Sequence, residues 1–401
     1  MLRCHTKAAD DATNRRHYSL PVATRTMELL FNSRGRLGVI NFDGSHERYL
    51  SFDIPEQVSW GFGPQFADNR HVILVSYEEG KSWEGNVRTH LWLYDRIADR
   101  LLAEIATEDR PAPFMSCSAI LPGEKRLLAN PIIDGIQQVW SMNIDGSDSH
   151  QVTSAQDGFT YCVTHAPDFS RLAFHATMIP GQSGYRVFTA DIDGGHRTEI
   201  AGHADHLYFG PAWSPDGSWL IYQDCHHQTD PGHDWADLCL GRPDGTEHHI
   251  ITSSQSHWFG TSYGAPDSRG GGSNMSSWSP NGEFVTYTRS QPDSRTAWPY
   301  QSHRPDEDHF NRDYHPDQAQ GGSQICLLSP FTGDITELTT SEDRVWDFRT
   351  SWSSDGKWIA FCRAPVGEPT GLWVMDANGG NAHMLTGGYD GKGADHPIWA
   401  E

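Results

Sequence analysis

Histidine, arginine and carboxylate side chains crowd two kinds of position in this chain. His165, His203, Asp205, His206, Asn274, Asp347, Arg349, Asp395 and His396 stand near the starts of short apolar segments. His175, Arg186, His226, His227, Asp230, His233 and Asp234 lie in or beside the loops that follow such segments. Neutral imidazole takes up protons near pH 7, guanidinium clamps carboxylates, and His with Asn and Asp can ligate a divalent cation. Proton abstraction beside a substrate carboxylate is chemistry that needs these groups together. The run CHHQTDPGHDWAD, with His226 and His227, has the make-up of a metal-binding loop, although an inert, solvated His-rich loop is the commoner origin of such a run. A long segment over residues 290–322 adds Arg295, Trp298, His303, Arg304, His309 and His315, with Arg289 just ahead of it. An insertion of that length inside a compact repeat points to function.

The elements that position these residues repeat. PAWSPDGSWLIYQD at Pro211 returns as SSWSPNGEFVTYTR at Ser276 and TSWSSDGKWIAFCR at Thr350, with a weaker copy, HAPDFSRLAFHA, from His165. Degenerate copies start at Phe62 and Ser116. Each copy reads as a strand, a polar turn and a second apolar strand, the pattern of a hairpin. A third strand such as RVFTADIDG or LWVMDANGG and a short fourth complete each unit. Four strands about every 45 residues describe the blades of a β-propeller. Six complete units lie between Gly61 and Thr386, and MELLFNSRGRLGVINFDG supplies only the middle strands of another. GADHPIWAE reads as its missing first strand, so the expectation is a single all-β domain: a seven-bladed β-propeller closed by N- and C-terminal strands in one blade, after an N-terminal extension of about 25 residues. Closure removes the open sheet edge.

In such a blade the SPDG turn faces one end of the ring, and the first-strand starts face the other with the loops between second and third strands. The His-rich face is therefore the expected functional face. The Trp of the WSPDG copies is expected in the core between blades, and Asp216 and Asp355 are expected as turn residues bonding nearby amides.

A net charge of −22 argues against nucleic-acid and anionic-membrane partners. No apolar run is long enough for a membrane-spanning helix, and the polar, basic start is not a secretory signal as it stands. Seven widely spaced cysteines without C-x-x-C suit free thiols in a reducing compartment, so a cytoplasmic location is expected. No obligate protein partner is inferred.

The WSPDG and LT-ended repeat resembles the propeller of TolB and its relatives, over nearly the whole chain. LAFHATMIPGQSGYRVFTADIDG and TYCVTHAPDF are similar to segments of seven-bladed polysaccharide lyases, the oligogalacturonate and L-rhamnosyl-α-1,4-glucuronate lyases. DHPIW is the nearest echo of their metal-bearing H-P-H-P. The resemblance implies β-elimination on an acidic, uronate-containing oligosaccharide. His165 or His175 would be the base, and Arg186 and Arg349 would hold the carboxylate. His206, Asn274 and His396 would hold a divalent metal ion, Ca²⁺ or Mn²⁺, and His226, His227, Arg289, Arg295 and Trp298 would contact substrate. The alternatives are a glycoside hydrolase using Asp205, Asp347 or Asp395, and a non-catalytic TolB-like binding propeller.

Overall fold

The structure, a computed structural model, describes residues 27–79, 87–105, 111–121, 123, 125–225, 236–253, 275–291, 294–295, 297, 313–340 and 342–400. His226, His227, Asp230, His233, Asp234, Asn274, Trp298, His303, Arg304 and His309 fall outside them.

The SPDG sequence makes a hairpin for a local reason. Ser214 and Ser218 hydroxyls donate to the Asp216 carboxylate, which also accepts the Ser218 amide at 3.0 Å. The Ser214 hydroxyl in turn accepts the Trp219 amide at 3.0 Å. Ser279 with Asn281 and Ser353 with Asp355 repeat the arrangement. Asp216 and Asp355 are therefore turn residues, as expected, and hydrogen bonds hold the Asp216 carboxyl below its usual range.

Every described blade is an antiparallel run of inner to outer strands. Ser59–Gln65, Phe159–His165 and Leu207–Trp213 each start a four-stranded sheet, and Met115–Ile120 belongs to a five-stranded one. A further four-stranded sheet combines Asp395–Ala400 with Glu28–Ser33, Arg36–Asn41 and Arg48–Tyr49. Five blades thus stand as separate sheets, against the seven expected. The remaining strands, from Ser277–Trp278 to His383–Thr386, form one eight-stranded sheet, because a single parallel pair, Ser323 with Trp346, links two antiparallel runs. The fold is an all-β propeller.

The first and last described strands meet in one sheet: Leu29 pairs with Trp399 and Leu30 with Ile398. The hydrophobic core is a series of clusters between successive sheets, for example Leu172, Phe174 and Phe188 against Leu121, Leu128 and Val139. Indole groups staple inner strands to the preceding blade. Trp278 donates to the Ala212 carbonyl at 3.1 Å, Trp352 to the Thr286 hydroxyl at 3.2 Å, and Trp399 to the Ser351 carbonyl at 2.9 Å. Burying an indole needs such a partner. The six described cysteines are free thiols, four of them buried.

Candidate functional site

Inner strands here are not regular. In five of them two residues oppose one on the second strand: Gly63-Pro64, Cys162-Val163, Gly210-Pro211, Arg349-Thr350 and His396-Pro397. Three of these bulges contain Pro, which a strand interior accepts only where no ladder amide is needed. The leading residue has positive φ in four: Cys162 (46°), Gly210 (63°), Arg349 (51°) and His396 (55°). Side-chain-bearing residues enter that region at a cost, and a bulge re-aims the side chain it carries. Gly210 is spared the strain, and a Cβ there would meet Met275 Cγ at 3.0 Å.

Arg349 and His396 are brought together by two such bulges, although not for substrate. Arg349 makes a buried ion pair with Asp395, whose other oxygen receives the Cys362 thiol at 3.2 Å and the His396 amide at 2.7 Å. Burial opposes charge on Asp395, yet Arg349, His396 and these donors outweigh it and hold the carboxyl at about 2. Burial in the wall, followed by Arg349, pushes His396 down to about 4, although its side chain keeps 41% of its surface. The expected clamp residue Arg349 is therefore occupied by the protein's own carboxylate.

His175 is a wall residue. It is 1% exposed, stacks on Tyr161 at 5.1 Å between centroids, and lies 5.6 Å from Tyr185 and 4.7 Å from Phe209. Burial drives its pKa down to about 3. In this structure the imidazole is sealed from solvent within the wall and faces no open site. The sign of its effect on stability follows. A folded pKa below the unfolded value of about 6.5 contributes stability above that pH, and the contribution is lost as pH falls toward about 3. His175→Phe, which keeps the aromatic stack, should remove up to about one proton from the acid-side slope of unfolding free energy in that window. Urea titrations at a series of pH values would show it, and an unchanged slope refutes the assignment.

His165 ends its inner strand and pairs with Leu172 beside the turn, whereas His175 pairs with Tyr161 toward the other end. The sequence reading placed His165 at a strand start. Its strand begins at Phe159, and the bulged seven-residue strand carries His165 to the turn-side mouth. Arg186 pairs with Glu199 of the outermost strand at 2.9 Å, and Arg289 with Glu337 likewise on an outer strand. Arg186 thus links the third and fourth strands of its blade, and Arg289 reaches from the second strand to the fourth. Arg295 is exposed, its backbone bridged to Gln320.

What the His-rich face does assemble is a dyad. His206 precedes the inner strand Leu207–Trp213, and its Nδ1 lies 2.8 and 3.0 Å from the two oxygens of Asp224. Asp224 is fully buried near the end of the second strand, opposite Tyr208. The His206 ring is about a quarter exposed, stacked near Tyr208 at 5.6 Å and edge-on to His203 at 4.8 Å. A carboxylate on one imidazole nitrogen fixes the tautomer and supports imidazolium formation, the arrangement of a general base. Asp224 was missed in the sequence. Its signal was an acidic residue ending an otherwise apolar strand, LIYQDC, immediately before the His-rich loop.

The expected metal set falls partly outside the described residues, because Asn274 is not among them. Among them no three His, Cys, Asp or Glu side chains gather to hold an ion. His206 is engaged by Asp224, His396 flanks an ion pair, and Asn274 lies outside. The hydrolase carboxylates fare no better. Asp347 is clamped by Arg363 at 2.6 and 2.8 Å and Asp395 by Arg349, leaving exposed Asp205 without an accessible partner acid among the three.

No protein-family model and no curated protein matches the chain. Solved structures do. A puromycin-hydrolyzing peptidase from Mycobacterium tuberculosis is 13% identical with a TM-score of 0.57, over 90% of this chain and 52% of that one. The chain thus spans about half of that peptidase's length. A TolB protein from Agrobacterium tumefaciens is 15% identical (TM-score 0.47; 88% and 99% covered). Oligogalacturonate lyase from Vibrio parahaemolyticus is 14% identical (TM-score 0.48; 65% and 70% covered). At these identities the likeness concerns the fold alone.

Proposed function

We propose that the chain is a carbohydrate-active lyase that cleaves a uronate-containing oligosaccharide by β-elimination, with His206 as the proton acceptor. The His206–Asp224 dyad carries this reading: it is an oriented imidazole on the face where the His-rich loop begins. In the step, His206 takes the proton on the carbon next to the uronate carboxylate. The electron pair forms the new double bond, and the glycosidic oxygen leaves with its sugar. Stabilising the developing charge needs a cation near the carboxylate. Among the expected arginines, Arg186, Arg289 and Arg349 each already face a carboxylate of the protein. A divalent ion, Ca²⁺ or Mn²⁺, would supply that charge if bound beside the carboxylate. Elemental analysis of the purified protein and its turnover after chelation decide that part.

The same proposal includes the ring. The eight-stranded sheet is two blades joined by one parallel pair, so that seven blades close through the shared terminal sheet. Trp399 supports this, because it bonds to Ser351 on one side while its carbonyl receives Gln65 at 2.7 Å on the other.

The occupied arginines favour a second reading, a non-catalytic binding propeller. Ultraviolet absorbance separates the two. Elimination creates a conjugated unsaturated uronate, whereas binding and hydrolysis do not. Uronate oligosaccharides incubated with the protein should gain that absorbance. A flat trace across galacturonate, glucuronate and rhamnosyl-glucuronate substrates, with and without added divalent ions, overturns the lyase.

A further inference from the structure

The turn-side mouth, opposite the His206 face, holds a cavity of about 820 Å³ lined by the ends of five inner strands and the turns that follow them. That volume is within the range of small-molecule sites, roughly 300–1,000 Å³. Its lining is unlike the rest of the protein. None of its seventeen residues is Asp, Glu, Lys or Arg, in a chain where these make up 20%. Four aromatic rings border it, Phe66, Phe169, Trp352 and Trp399. Both indole N–H groups are already used between blades, so those rings offer faces.

His165 is the one ionisable group among these seventeen described residues, and the dyad makes no use of it. Its Nδ1 lies 2.9 Å from the Ala166 carbonyl, and its ring stacks on Phe169 at 4.1 Å and 15°. Because a carbonyl only accepts, Nδ1 carries a proton, which leaves Nε2 as the ring's one nitrogen able to accept. Ser118 and Asn69 add hydroxyl and amide groups to the same lining.

We propose that this mouth is a second ligand site, for a neutral saccharide, with sugar rings against the aromatic faces and a sugar hydroxyl donating to His165 Nε2. The chemistry selects among ligands. A uronate brought here would lose solvation without a counter-charge, and the chain's charge of −22 disfavours it further. A purely apolar ligand would leave His165 Nε2 and the Asn69 amide without partners. A pyranose has apolar faces and a rim of hydroxyls, which matches both parts of the lining. This inference does not depend on the lyase reading.

The test uses the full chain and intrinsic tryptophan fluorescence, since Trp352 and Trp399 line the cavity, backed by calorimetry. Probes are maltotriose, cellotriose and a rhamnose disaccharide, with trigalacturonate and an unstructured neutral peptide as comparisons. Saturable binding of at least one neutral saccharide is expected, weakened at least about tenfold by His165→Gln and by Phe169→Ala. Both variants are to be checked by circular dichroism and thermal midpoint. His165→Gln keeps a polar side chain of similar reach, so it stays informative if Phe169→Ala unfolds. The proposal falls if no neutral saccharide saturates, if correctly folded His165→Gln binds as wild type, or if trigalacturonate or the peptide binds this mouth more tightly.

Discussion

Replacing His206 with alanine should lower the elimination rate on the best uronate substrate by about 10²–10⁴-fold, the contribution typical of a general base. The fall should appear in kcat, because His206 acts on the proton in the transition state rather than on the sugar's binding groups. Asp224→Asn should lower the rate in the same direction, since an amide can still hydrogen-bond the ring but no longer balances an imidazolium. Asp224 is fully buried opposite Tyr208, so that variant needs its thermal midpoint measured alongside. His206 is partly exposed, but its removal takes a hydrogen bond from the fully buried Asp224 carboxylate, so its midpoint should fall and is measured as well. Normal turnover in folded His206→Ala would place the base elsewhere and reduce the dyad to a structural contact.

Deleting Asp395–Ala400 should abolish cooperative folding. The segment is the inner strand of the sheet that also contains Glu28–Ser33. Its loss strands the backbone groups of fully buried Leu29 and Leu30, and unpaired buried amides cost about 1–3 kcal/mol each. It also removes the partner of Arg349, leaving a buried guanidinium without Asp395, a change worth roughly 3–5 kcal/mol. A milder version, Trp399→Ala, empties a side-chain site that is 8% exposed within the cluster of Leu29, Phe31 and Leu372. Large-to-small changes of this kind cost about 3–5 kcal/mol. Chemical denaturation followed by circular dichroism reads both. A truncated chain that unfolds with the wild-type midpoint would show that the terminal sheet does not hold the propeller together.

The hairpins and their order could be read from residues because their causes are local. A serine and an acidic or amide residue two positions on close the turn with their own side chains, as Ser214 with Asp216 and Ser279 with Asn281 do. Alternating apolar segments then fix which strands follow. The pairing of GADHPIWAE with the first described strand was also legible, since an incomplete unit at each end leaves one complementary strand. Blade count was harder to read, because one parallel pair at Ser323 and Trp346 is enough to fuse two runs into one sheet.

Side-chain roles were mostly not legible. The sequence by itself put His165 and Arg349 on inner strands and His175 and Arg186 at loops, and the structure puts the latter two on strands. Whether each faces substrate, solvent or another blade was decided by tertiary contacts between residues distant in the chain. Arg349 meets Asp395 across 46 positions, His175 lies against Gly210 of the next blade, and Arg186 reaches outward to Glu199. A reactive residue type states what chemistry is available, and burial and the nearest opposite charge determine whether it is used. His206 was visible as a residue type, but its partner Asp224 became a functional neighbour only when Tyr208 and Asp224 paired. Local hydrogen bonding sets the hairpins, and the meeting of blades, a property of no single segment, sets the site.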